Sequence, residues 1–573
     1  MKNNIAWWDK LGKPQYGGEI IIRSAKTITN FDPYLSEHLT QIYSAWMERL
    51  QAEDWTLDPA IFDYRIVSPL QYLKGHLAES WEFMDSSTFV VHLRKGIHWQ
   101  DIPPVNGREF TADDVVYHYD RLYGLGHGYT KPGPGAILYR FRSLISITAD
   151  DKYTVAFKWK EPNPEIMKES IQETGCVHAI EAREAVEKWG NLSDWRHAIG
   201  TGPFILKDFV QGKGATLVRN PNYWGHDDSQ PQNQLPYYWG HDDSQPQNQL
   251  PYVDTLKIMI LHDNEAAMEA LRTGRIDVLD GLLPSQAQEI KRTNPEILQV
   301  AYPAGNATTI DPRNDRAPFN EIRVRKAMQM AIDLPTICRV HYGNTCLPYP
   351  STVTSNYRKG WGFPYEEWPQ DLKDEYAYNP TVARKLLAEA GYPHGFKTNI
   401  VADETGDMEL LQIVKTYFAD VGIDMEIRVM DHAATADFVN GHKHDQLAQR
   451  GPIGKIGRLF VPPIYDFGRL CTGQAGNYLM VADPVNDAFH AKAMLTTNVD
   501  DFKHLSRDYN EYVARQHFDI SLLQPMEYSL YQPWFKGYTG QHSSISGPDG
   551  PQLLFYYPSR FWIDQKLKKS MGY

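Results

Sequence analysis

Lys397–Met430 reads KTNIVADETGDMELLQIVKTYFADVGIDMEIRVM. Lys397–Ala402 (KTNIVA) reads as a strand and Met408–Asp420 as a helix. Ile423–Met430 (IDMEIRVM) alternates with period two, as a strand does. Strand, helix and strand over this length form a right-handed crossover unit in a largely parallel sheet. At least this part of the chain is therefore α/β.

Neighbouring stretches carry equally local signals. In NPTVARKLLAEAG, Asn379 caps a predicted helix, Pro380 takes its first position and Gly391 ends it. Glu321–Asp333 (EIRVRKAMQMAID) is predicted as a helix with Val324, Met328, Ala331 and Ile332 aligned. Phe110–Tyr123 (FTADDVVYHYDRLY) is another, with Thr111 as cap and Asp114 as its reciprocal partner. Val115, Val116, Tyr119, Leu122 and Tyr123 form its apolar face. Gly17–Arg23 (GGEIIIR) reads as a glycine turn followed by a short strand, Phe89–Leu93 (FVVHL) as a strand, and Arg94–Gly107 as loop.

A chain of 573 residues is too long for one core, so two or three lobes are expected. The formal charge of −13 argues against a nucleic-acid partner, which requires a basic face. Aromatic residues make up 12%, enough either for core packing or for a cavity lined with flat side chains. Cys176, Cys338, Cys346 and Cys471 form no CxxC pair. Cys338 and Cys346 are close enough to bridge, and the sequence leaves both states open. No apolar run approaches a membrane span. The first residues, MKNNIAWWDKLGKPQYGG, lack the apolar segment of a signal peptide.

Catalytic signatures are sparse. There is no GxxxxGK[ST], HExxH or GxSxG. Gly124–Gly128 (GLGHG) follows a helix and reads as its stop. His442 and His444 in GHKHD have no third metal ligand in view and read as a solvated loop. Glu366 and Glu367 are adjacent; in a strand they point apart, which makes them a poor acid/base couple.

The chain resembles the extracellular solute-binding proteins, family 5, of ABC importers, the oligopeptide-, dipeptide- and nickel-binding group. The resemblance rests on GGEIIIR at Gly17, FDPY at Phe31, LAESWEF at Leu77, FVVHLRKGIHW at Phe89 and FTADDVVYHYDRL at Phe110. It continues through GTGPFILKDF at Gly200, LVRNPNYWG at Leu217, ALRTGRIDV at Ala270 and APFNEIRVRKAMQMAID at Ala317. YNPTVARKLLAEAGYP at Tyr378 and PWFKGY at Pro533 complete it, in the family's order and over nearly the whole chain.

The resemblance implies a two-lobed α/β clamp of the periplasmic-binding-protein type II. The first lobe would comprise residues 1–42, 199–305 and 521–573, with an extra α+β domain inserted at 43–198. The second lobe would be 306–520. The family implies a non-enzymatic receptor, periplasmic or extracellular, that captures a peptide-like or other small polar solute in an interlobe cleft and delivers it to an importer permease. A monomer without cofactor or metal is expected. The alternatives are a receptor for an oligosaccharide or acidic solute, and a secreted carbohydrate-active enzyme.

Peptide-binding members carry a Trp-x-x-Asp-like motif whose Asp pairs with the ligand's amino group. By position it falls near Gln449–Gly454, which reads QRGPIG. Trp and Asp are both missing and Arg450 is present. A free ammonium left unpaired in a closed cleft is costly, so a sugar-like or acidic ligand is favoured over a free-amino peptide. Ligands of open α/β sheets bind beyond the carboxyl ends of strands. The expected ligand residues are Asp403, Glu404 and Thr405 after the strand, with Gln449 and Arg450, and also Asn30 and Tyr465. Arg450 would grip a carboxylate or vicinal hydroxyls, or else pair with Asp403 or Glu404 to stiffen the empty site.

One feature is foreign to the resemblance. Tyr223–Tyr237 reads YWGHDDSQPQNQLPY, and Tyr238–Tyr252 repeats it letter for letter. Two polar copies cannot build a solenoid. The repeat reads as a duplicated surface loop for which one copy suffices.

Overall fold

In the computed structural model, Lys397–Met430 forms the strand Phe396–Asp403, the helix Met408–Asp420 and the strand Ile423–Met430. The strands are parallel, in register from Phe396 opposite Ile423 to Asp403 opposite Met430. The structure describes residues 12–25, 27–28, 30–35, 45–53, 73–85, 87–134, 144–160, 179–227, 249–303, 309–350, 362–404, 406–449, 467–468, 470–474, 476–496, 498–538 and 557–573. The chain divides into two units, Met1–Ala301 with Tyr528–Tyr573, and Tyr302–Glu527.

The unit Tyr302–Glu527 is built on a five-stranded sheet. Its order is Ile423–Met430, Phe396–Asp403, Leu447–Gln449, Thr309–Pro312 and Ile520–Ser521. The first three strands run parallel. Thr309–Pro312 is antiparallel to both its neighbours. Successive strand residues point to opposite faces, and here each face has its own core. Leu447 joins Ile400, Ala402, Leu410, Val414 and Phe418 on one side. Ala448 joins Trp368, Leu372, Phe502 and Tyr509 on the other. Covering of both faces is what a parallel sheet requires. Gly395 precedes the strand Phe396–Asp403 at φ +76°, where an added Cβ would lie 1.8 Å from the Gly422 carbonyl oxygen, so only glycine fits there.

Caps define the helices. The Asn379 carboxamide accepts from the Val382 amide at 3.1 Å and starts the helix Pro380–Glu389. Glu321–Asp333 is not one helix. It ends as Ile322–Met330, and Asp333 caps the next helix, Leu334–Val340, by accepting from the Thr336 amide at 3.0 Å. A short acceptor side chain outcompetes continuation of the apolar pattern at that point. Cys338 and Cys346 form a disulfide, and Cys471 is free and buried.

The other unit holds a mixed sheet. Glu19–Ser24 lies parallel to Thr255–Ile260, which is followed outward by antiparallel Gly214–Arg219 and Phe204–Val210. Val278–Leu282 sits on its other side, next to Gln524–Tyr531, the strand in which the chain passes between units. A separate four-stranded antiparallel sheet has the order Ala78–Asp85, Thr88–Leu93, Thr154–Trp159 and Leu144–Asp151. The helix Ala112–Tyr123 packs on it, with the Tyr119 ring 5.1 Å from that of Phe157. Asp114 returns a carboxylate oxygen to the Thr111 amide at 2.9 Å, and Gly124 closes the helix at φ +71°.

Three expectations need correction. The ends of the doubled stretch are not surface loop: Tyr223, Asp227 and Tyr252 are buried. Tyr223 and Trp224 donate to Glu48 at 2.7 and 2.9 Å, which draws that end inward, and residues 228–248 lie outside the described residues. In GHKHD, Gly441, Lys443 and Asp445 are exposed as expected, and His444 is the exception. His444 is fully buried, because Arg313 beneath it takes the carbonyls of His442 and His444 at 2.9 and 3.0 Å. Glu366 and Glu367 lie on a single 3-10 turn, not in a strand, and Glu367 is paired with Arg507.

Candidate ligand-binding site

The carboxyl ends of Phe396–Asp403 and Leu447–Gln449 lie side by side. Ala402 is opposite Gln449 in the parallel register. Gln449 is fully buried, and among the described residues neither atom of its carboxamide has a hydrogen-bond partner. It follows Leu447 by two residues and so shares that residue's face, toward the core cluster containing Leu410 and Leu411. A buried amide left unpaired costs about 1–3 kcal/mol, so its place at a strand end marks a position to be filled.

Asp403 ends the strand Phe396–Asp403 and is buried, and its carbonyl accepts from the Gly406 amide at 2.9 Å. Glu404 is exposed, and its amide donates to the Met430 carbonyl at 2.9 Å. The loop is therefore held by its backbone, with one acidic side chain inward and one outward. Asp407 follows and caps the helix Met408–Asp420, accepting from the Leu410 amide at 2.8 Å. Burial works against its charge. The Leu410 amide, the Tyr342 phenol and His341 outweigh burial and hold the carboxyl below its usual range.

Pairing of the two strands thus brings Asp403 and Gln449 to one edge, with Glu404 next to them. Thr405, Arg450 and Tyr465 lie outside the described residues. Asn30 belongs to the other unit, where its side chain accepts from the Asp32 amide at 2.9 Å. That turn is anchored by buried charges. Arg121 donates to Asp32 at 2.7 and 3.2 Å and to Glu181 at 2.9 Å, and His118 pairs with Glu181. Burial opposes ionisation of Glu181, yet His118 and Arg121 prevail and hold it down to about 2. The Tyr34 ring lies 4.1 Å from the Arg121 guanidinium.

Sequence reasoning missed Asp407 as a structural centre. Its signal was present, a short acidic residue three positions before Leu410 at the start of an apolar helix. Its partners His341 and Tyr342 had none. Among the described residues no group of three or more His, Cys, Asp or Glu is placed to hold a metal. No helix of the described residues is long and apolar enough to cross a membrane.

Comparison with known proteins bears on this geometry. The model of the bacterial extracellular solute-binding proteins, family 5 middle, matches residues 73–451. Heme-binding protein A of Haemophilus influenzae is 26% identical over 368 residues, covering 61% of this chain and 60% of that protein. Glutathione-binding protein GsiB of Shigella flexneri serotype 5b is 26% identical over 373 residues, covering 64% and 63%. The chain thus spans less than two thirds of the length of these relatives. Among solved structures, HbpA2 from Haemophilus parasuis matches with a TM-score of 0.71 at 18% identity, covering 96% of this chain and 100% of that one. The periplasmic binding protein DppA from Helicobacter pylori, in complex with the peptide STSA, matches with a TM-score of 0.65 at 20% identity, covering 96% and 99%. These structures share the two-unit α/β fold.

Proposed function

The chain belongs to family 5 of the bacterial extracellular solute-binding proteins, and from that premise we propose that it is the solute receptor of an ABC importer. It captures a small polar solute at the strand ends that carry Asp403 and Gln449, and hands it to the membrane permease. The observation that carries this reading is the fully buried Gln449 carboxamide, unpartnered among the described residues. An amide offers both a donor and an acceptor, so it suits a carboxylate, amide or hydroxyl group of a ligand. Glu404, Thr405, Arg450 and Tyr465 complete the site in this reading.

The solute is peptide-like, sugar-like or acidic, and a free-amino peptide is disfavoured. Gln449–Gly454 lacks the aspartate that would pair with an ammonium. The relatives bind heme and glutathione by their names, so solutes in this family need not be simple peptides. The receptor acts outside the cytoplasmic membrane as a monomer, with residues 43–198 as a domain inserted in the first lobe. Family membership and the binding proteins it resembles support a receptor over a carbohydrate-active enzyme.

Mass spectrometry of small molecules released on denaturing the purified protein tests the reading. The parent should release one polar solute unchanged, and Gln449→Leu should release at least about tenfold less, the loss of one to two hydrogen bonds. Equal release from both proteins would remove Gln449 from the site. Recovery of a cleaved product would point to an enzyme.

A further inference from the structure

Asp407 makes contacts beyond its capping bond. One carboxylate oxygen serves the Leu410 amide. The other accepts from the Tyr342 phenol at 2.7 Å and faces His341 Nε2 at 3.1 Å. His341 and Tyr342 follow directly on the helix Leu334–Val340. The Tyr342 carbonyl accepts from the Thr345 amide at 2.9 Å, and the Thr345 carbonyl accepts from the Met526 amide at 2.9 Å. The next residue, Cys346, pairs with Pro525 and is tied by the disulfide to Cys338 on the same helix. Met526 lies in the strand Gln524–Tyr531, and the unit ends at Glu527 within that strand. A continuous run of hydrogen bonds therefore leads from the candidate ligand loop to the strand by which the chain leaves this unit.

We propose that Asp407 is a positioning residue that couples the Asp403–Asp407 loop to the strand Gln524–Tyr531 through Tyr342 and Thr345. The chemistry favours such a role. Helix capping needs one oxygen of a short side chain, which serine supplies as well as aspartate. The second oxygen is spent on a residue 65 positions away. Carboxylate acceptors make stronger bonds than neutral ones, so the Tyr342 contact is a firm attachment. Coupling is reciprocal: whatever orders the loop orders the strand, and the reverse. The ligand-binding role of the loop comes from the proposed function; the coupling itself is a property of the empty protein.

Hydrogen–deuterium exchange of the full chain, without added ligand, tests it. Tyr342→Phe keeps the cap and removes the attachment, and Asp407→Ser does the same from the other end. In both, exchange should rise about fivefold or more in Asp403–Leu411 and in Gln524–Tyr531, the loss of one hydrogen bond. The strand Glu19–Ser24, in the other unit, should not change. Asp407→Asn keeps one oxygen for the cap but replaces the other with an N–H2 group, which can only donate to the Tyr342 phenol as a weaker neutral bond, so exchange at both places should fall between the parental rate and that of Asp407→Ser. A rise confined to Asp403–Leu411 overturns the proposal, as does a uniform rise in every peptide of both variants. The solute-release measurement on Gln449→Leu is separate, so loss of the binding reading and loss of the coupling are told apart.

Discussion

The Tyr252 phenol donates to the Asp227 carboxylate across 2.6 Å, and the two residues come from different copies of one fifteen-residue sequence. Asp227 also receives Arg560 at 2.5 Å, while His226 and Gln249 form an antiparallel bridge. The fold uses the front of the first copy, Tyr223–Asp227, and the back of the second, Gln249–Tyr252. Those are the two ends of a single copy.

Deleting Tyr238–Tyr252 should therefore leave the fold intact, because Gln234–Tyr237 then supply the same four residues to the same partners. The connection after Asp227 shortens from 21 residues to six, enough for ends already bridged. Closure entropy favours the shorter chain by about 1 kcal/mol. Melting temperature should stay within roughly 2 °C of the parent's. A fall of several degrees would show that the second copy has a structural role.

Arg121→Met should destabilise the protein by roughly 3–5 kcal/mol, since it leaves Asp32 buried without its cation and Glu181 with His118 alone. Arg183→Ala is the control. Its ion pair with Glu187 is largely exposed and spans one helical turn, so its loss should cost about 0.5 kcal/mol or less. Urea unfolding of both variants gives the comparison. A cost below about 1 kcal/mol for Arg121→Met would contradict the buried network.

Acid should weaken the unit Tyr302–Glu527 through His517. Burial first, then Lys326 and Arg325, push its pKa down to about 4, against the hydrogen bond to Glu375 at 3.1 Å. Glu375 is already neutralised by Lys326 at 2.6 Å, so a protonated His517 would add an uncompensated cation. An unfolded histidine titrates near 6.5, so below that pH the unfolded chain binds a proton that the folded chain refuses. Unfolding free energy should fall as pH drops from about 6.5 to about 4, by up to roughly 3 kcal/mol, with no further loss from this group below. His517→Asn tolerates the φ of +47° and should flatten this part of the profile. An unchanged profile by urea unfolding at pH 7 and pH 4.5 would acquit His517.

Gln449→Leu should stabilise the solute-free protein by about 1 kcal/mol or more while weakening solute retention, because an unpaired buried amide gives way to a hydrocarbon of similar size. Thermal melts of protein stripped by unfolding and refolding would measure it. A lower melting temperature for the variant would mean that the amide is satisfied within the chain.

The sequence by itself determined the elements whose signals are local. Ile423–Met430 alternates in period two, and Met408–Asp420 was readable to its last residue. Asn379 with Pro380 announced a helix start, because capping involves neighbours three residues apart. The α/β class followed from such stretches. Where two local signals competed, as at Asp333, the apolar period misled and the cap prevailed. Tertiary structure alone decided what depends on distant pairing. Parallel register sets Ala402 against Gln449, so two strand ends 46 residues apart share one edge. Arg121 finds Asp32 across 89 residues and Glu181 across 60, and His444 is buried because Arg313 reaches its carbonyl from 131 residues away. Hydrophobic period and capping are written in adjacent side chains. Charge pairing and strand register are set only when the whole sheet closes around them, so burial of these polar groups could be read only after folding.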